Sequence, residues 1–77
     1  MKTEELRNEL LALIREQPDY GLSLRDRLAQ RGVAVRQFTI YPVLRKMERE
    51  GLLVSEPRYE NLEERVGKPR IYYKLKV

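Results

Sequence analysis

IYPVLRKMEREGLL, from Ile40 to Leu53, has the pattern of a helix and its stop, with a proline at position 42 inside it. Ile40, Leu44 and Met47 recur at i, i+4 and i+7, with Tyr41 and Glu48 flanking them, and Gly51 supplies the stop. This places a helix over about 36–50. At 100° per residue, Thr39, Pro42, Arg45, Lys46 and Arg49 point away from the core. A proline in a helix interior costs about 3 kcal/mol. Here it lies on the outward side near the N-terminal end, where only the bond to the Phe38 carbonyl is lost. If Thr39 is instead the N-cap, Pro42 falls in the first turn, where proline is well tolerated.

After Gly51 the pattern changes to period two. LLVSEP reads as a short strand and PRIYYKLKV as a longer one. In the second, Ile71, Tyr73, Leu75 and Val77 form one face, and Arg70, Tyr72, Lys74 and Lys76 the other. One side is apolar and the other cationic. The segment between the strands is long and polar, and Glu60, Glu63 and Glu64 give it negative charge.

Before Ile40 the chain carries two more helices. Thr3 reads as an N-cap, Glu4 and Glu5 suit the first turn, and Leu6, Leu10, Leu13 and Ile14 form an apolar stripe that Leu11 widens. QPDYG, residues 17–21, ends this helix with turn formers. The second helix starts at Ser23, where SLRD has the form of a capping box. Leu24, Leu28 and Ala29 face inward, and Gly32 closes it in the left-handed conformation.

Seventy-seven residues form a single domain, 1–77. With no cysteine and no histidine, the usual hydrolase triads and the usual zinc and haem ligand sets are excluded. The glutamates form no convincing acid/base pair, so the reading is of a protein that is not an enzyme and holds no cofactor or metal. No apolar run is long enough to span a membrane, and the N-terminus lacks a signal-peptide core. The expectation is a cytoplasmic protein. The net charge of +4 falls in blocks: −2 over residues 1–20, +4 over 21–50, −2 over 51–65 and +4 over 66–77.

Three helices followed by a β-hairpin, in this order, make an α+β winged helix-turn-helix. In that architecture the third helix enters the DNA major groove and the wing lies along the backbone. The two basic blocks fall on these two elements. Arg36, Arg45, Lys46 and Arg49 are the candidates for groove and phosphate contacts. Gln37 and Thr39 can read base edges, and Lys68, Arg70, Lys74 and Lys76 form the wing set. Arg25, Arg27 and Arg31 on the second helix lie within reach of phosphates, or are simply solvated.

YPVLRKMEREGLL followed by GKPRIYYKL resembles the PadR family of transcriptional regulators. Tyr41, Pro42, Leu44, Glu48, Gly51, Leu52, Gly67, Pro69, Arg70 and Tyr73 match its pattern. Lys68 replaces the usual arginine and Met47 the usual leucine. YGLSLRDRL is also similar to the family's segment after the first helix. The resemblance implies a sequence-specific regulator of double-stranded DNA, acting as a repressor, with Tyr41 and Pro42 on a DNA-facing helix. Tyr41 then offers its hydroxyl to a phosphate, or packs as a core-edge ring.

Two departures from the family pattern bear on this expectation. Arg36, Gln37, Phe38 and Thr39 stand where the family often has Ser-Pro-Gly-Thr. Phe38 therefore puts a bulky ring at the approach to DNA, where it reads a thymine methyl or covers the core. Family members also continue past the equivalent of Val77 into helices that form the dimer and help build an effector pocket. This argues against a small-molecule effector, and leaves a homodimer through the N-terminal helix or a monomer. The alternative function is a winged-helix adaptor in transcription, replication or mobile-element machinery that binds protein rather than DNA.

Overall fold

The computed structural model describes residues 2–59 and 69–76. The chain runs α1 (Thr3–Glu16), β1 (Asp19–Tyr20), α2 (Gly21–Gln30), α3 (Gln37–Arg49), β2 (Leu53–Arg58) and β3 (Arg70–Leu75). The three strands form one antiparallel sheet in the order β1-β3-β2. The expected helices and hairpin are present, so the winged-helix reading holds.

The helical stripes make the core. Leu10, Leu24, Leu28, Ile40 and Leu44 are fully buried, and Leu6, Leu13, Ile14, Met47, Leu53 and Tyr73 complete the cluster. Val43, which the i, i+4, i+7 reading passed over, is buried as well. Leu11 packs on the edge of the cluster, half-buried.

Glycine closes both α2 and α3 in the same way. Gly32 and Gly51 have φ of 82° and 81°. The next amide reaches back across each turn, from Val33 to the Leu28 carbonyl at 2.8 Å and from Leu52 to the Met47 carbonyl at 3.0 Å. This is the Schellman arrangement, in which a left-handed residue lets the chain satisfy the last carbonyls of a helix. It turns α2 into α3 and α3 into β2.

Several expectations need correction. Lys2, not Thr3, occupies the N-cap position of α1, and no side chain caps it. QPDYG is more than a turn, because Asp19 and Tyr20 pair with Tyr73 and Tyr72. Two residues have no periodicity to read, and their partners lie more than fifty positions away. Helix α2 begins at Gly21 with Tyr20 as N-cap, so Ser23 lies inside the helix and no capping box forms. Its hydroxyl donates instead to Asp19, and Asp26 accepts from Arg25. Ala29 is exposed, outside the Leu24 and Leu28 stripe. Ile71, expected on the buried face with Tyr73, is 39% exposed because it pairs with Pro57 toward the end of the hairpin where the connecting segment joins the strands.

Helix α3 starts at Gln37, so Pro42 is not in the first turn and Thr39 is not the N-cap. Proline is tolerated because its ring is exposed and a single intrahelical bond is lost.

Candidate nucleic-acid interface

The outward side of α3 follows directly from its inward one. Burying Ile40, Val43, Leu44 and Met47 turns Thr39, Pro42, Arg45, Lys46 and Arg49 into solvent, and all five are exposed. The side chains of Arg45, Lys46 and Arg49 make no hydrogen bond or ion pair with any described residue. The helix's own acids are engaged elsewhere. Glu48 accepts from the Ser55 hydroxyl, and Glu50 pairs with Arg7 at 3.2 Å.

Arg36 occupies the N-cap position of α3, with its guanidinium 5.8 Å from the Phe38 ring centroid. Gln37 donates from Nε2 to the Tyr41 hydroxyl oxygen at 2.9 Å. This leaves the Gln37 carbonyl and the Tyr41 hydroxyl proton available to other partners. The Tyr41 ring packs half-buried against the core, so its core-edge role is realised. It lies so close to α2 that a Cβ on Gly21 would stand 2.7 Å from the ring. Gly21 is thus the residue that admits Tyr41.

The sheet presents a second cationic surface, built differently. Arg58 stacks over Tyr72 at 4.4 Å, Tyr72 tilts against Tyr20 at 5.1 Å, and Arg70 stacks over Tyr20 at 4.5 Å. Arg70 also donates to the Tyr20 hydroxyl at 2.9 Å. Arg58 and Arg70 are cross-strand partners. Like charges placed opposite each other repel, and each guanidinium here lies over the negative face of a different ring. Arg58 also donates to Glu56 at 2.7 Å, with the Lys74 ammonium 3.8 Å from the same carboxylate. Arg58 and then Lys74 hold the Glu56 carboxyl below its ordinary value.

The candidate residues thus fall into separate groups. Arg36, Gln37, Thr39, Tyr41, Arg45, Lys46 and Arg49 come together on α3. Arg70 and Lys74 share β3 and are joined by Arg58, which sequence reading missed because its face is defined only by the register with β3. Lys68, Val77 and the acidic residues Glu60, Glu63 and Glu64 lie outside the described residues. Lys76 is exposed after β3. Tyr73, on the other face of β3, is buried in the core. Burial, and next the Glu48 carboxylate, raise its phenol above the usual value, while Arg45 opposes the shift.

The arginines of α2 are engaged with acids. Arg25 pairs with Asp26 and Arg31 with Glu9. Arg27 is a structural hub, with only 17% of its side chain exposed. It donates to Asp19 Oδ2 at 2.9 Å, to the Leu13 carbonyl at 3.1 Å and to Glu16 at 3.0 Å. Asp19 also accepts from Ser23 at 2.7 Å and from the Tyr20 amide at 2.9 Å.

Three packed helices, a small sheet and a cationic third helix define a winged-helix protein. The chain belongs to the PadR-like family of transcriptional regulators, whose family model matches residues 10–76. It is similar to a PadR-like transcription factor from Bacteroides fragilis, with a TM-score of 0.80 and 29% identity over 95% of this chain and 67% of that one. A PadR family regulator from Eggerthella lenta is 36% identical, with a TM-score of 0.71, over 92% of this chain and 62% of that one. Bacillus subtilis PadR, solved in complex with operator DNA, shares the fold at 19% identity and a TM-score of 0.75, over 91% of this chain and 39% of that one. This chain therefore spans about two thirds or less of the length of these three proteins. No curated protein matches it by sequence. No helix among the described residues is long and apolar enough to cross a membrane.

Proposed function

We propose that this protein is a cytoplasmic, sequence-specific DNA-binding regulator that represses transcription by occupying a promoter. Helix α3 enters the major groove, and the β2–β3 wing lies on the backbone. The observation that carries this reading is the uneven use of arginine. Arg7, Arg25, Arg27, Arg31 and Arg58 each have a carboxylate partner, whereas Arg45, Lys46 and Arg49 have none among the described residues. Three unpaired cations on one exposed helical face suit the phosphate chain of a duplex. The Bacillus subtilis relative bound to operator DNA adds support.

On this reading Arg36, Gln37, Thr39 and Tyr41 act at the N-terminal end of α3, where a recognition helix approaches base edges. Lys68, Arg70 and Lys74 act from the wing. A homodimer through α1 would place two α3 helices on half-sites roughly 34–36 Å apart.

The test is duplex binding by fluorescence anisotropy across a salt series, paired with light scattering. A regulator loses affinity steeply as salt rises, with a slope of about −0.9 per phosphate neutralised. Absence of binding to any duplex at low salt would sink the reading and turn attention to the protein-binding adaptor.

A further inference from the structure

Phe38 is the chain's single phenylalanine and is 67% exposed, so it does not cover the core. It is the second residue of α3, and it lines an open groove with Val35 and Pro42. Arg36, Lys46 and Arg49 line the same groove, and no carboxylate does among the described residues. An apolar strip is therefore set within a cationic frame. Pro42, one helical turn after Phe38, extends the strip with its exposed ring.

From this arrangement we infer that Phe38 is a specificity residue, and that it reads the 5-methyl group of a thymine. The inference rests on the proposed placement of α3 in the major groove. There, base pairs present hydrogen-bonding groups and one apolar feature, the thymine methyl, for which phenylalanine is a suitable contact. The first turn of a recognition helix is the part that reaches base edges. The surrounding cations fit the phosphates on either side, which leaves the ring to meet the base. Arg36, within cation–π range of the ring, holds it from one side without covering it.

The experiment begins by enriching bound duplexes from a random library with the full chain at low salt. Each preferred thymine is then replaced singly by deoxyuridine, which removes the methyl and keeps every hydrogen-bonding group. One replacement should weaken binding about fourfold, the worth of one buried carbon. Phe38→Ala should bind the thymine and uracil duplexes equally, with an unchanged salt slope and far-UV circular dichroism. The inference is overturned if no thymine is preferred, if every uracil duplex binds as well as its parent, or if Phe38→Ala keeps the difference. Enrichment of no duplex overturns the DNA-binding reading and this inference together. Binding without a methyl effect overturns this inference alone.

Discussion

Around Asp19, three elements meet on one buried carboxylate, which takes donors from Tyr20, Ser23 and Arg27 while Arg27 reaches back to α1. On the outward face of α3, Arg45, Lys46 and Arg49 meet no carboxylate. The same residue types therefore do two jobs. A guanidinium that is 17% exposed and triply bonded is part of the fold, and its removal should be felt as lost stability. Cations standing in water contribute little to stability and remain available to an external anion.

The sharpest test of this division is Asp19→Ala. Removing Asp19 takes the buried acceptor from Arg27, Ser23 and the Tyr20 amide, while Arg27 keeps Glu16 and the Leu13 carbonyl, at a cost of about 1.5–3 kcal/mol. Urea denaturation followed by circular dichroism should show it, and a change below 1 kcal/mol would break the comparison. The reverse case is the triple variant Arg45→Ala, Lys46→Ala, Arg49→Ala. Its stability should stay within about 0.5 kcal/mol of the parent's. Its salt slope for duplex binding should become shallower by up to roughly 2.7, at 0.9 per lost phosphate contact. An unchanged slope would remove α3 from the interface.

Gly21→Ala tests the seam between the two regions. The added methyl meets the Tyr41 ring and should displace it, with loss of the Gln37 bond and about 1–3 kcal/mol of stability. Tyr41→Phe, which loses the hydroxyl alone, should cost less, about 0.5–1.5 kcal/mol.

The smallest effect concerns Tyr73. Its phenol titrates higher in the folded chain than in the unfolded one, so the unfolded state ionises first on the alkaline side. Stability from this group is complete below about pH 10 and falls as pH rises through the folded value. Tyr73→Phe should flatten that fall in denaturation midpoints measured from pH 9 to 11. A parallel fall in both proteins would remove Tyr73 as its source.

Helices and core were legible because their information is local. Leu6, Leu10, Leu13 and Ile14 mark α1 by spacing, and Gly32 and Gly51 mark two helix ends by backbone conformation. The exposed side of α3 followed from the same arithmetic. The Asp19 junction was not legible, because it joins residues from three elements across two turns. In SLRD, Ser23 and Asp26 have the spacing of a cap, yet Ser23 finds a better acceptor in Asp19. The Arg58–Tyr72–Tyr20–Arg70 stack was hidden for a similar reason, since strand register alone decides which side chains share a face. Phe38 shows a further limit. Sequence placed it near the groove but left open whether the ring was covered.

The strand order also governs how copies of the chain can meet. Putting β3 between β1 and β2 leaves two edges, one of only two residues and one carrying Pro57 between Glu56 and Arg58. A two-residue edge is too short to template a neighbour, and a proline flanked by charges interrupts the other. Strand-to-strand aggregation is thus discouraged at both edges of the described sheet.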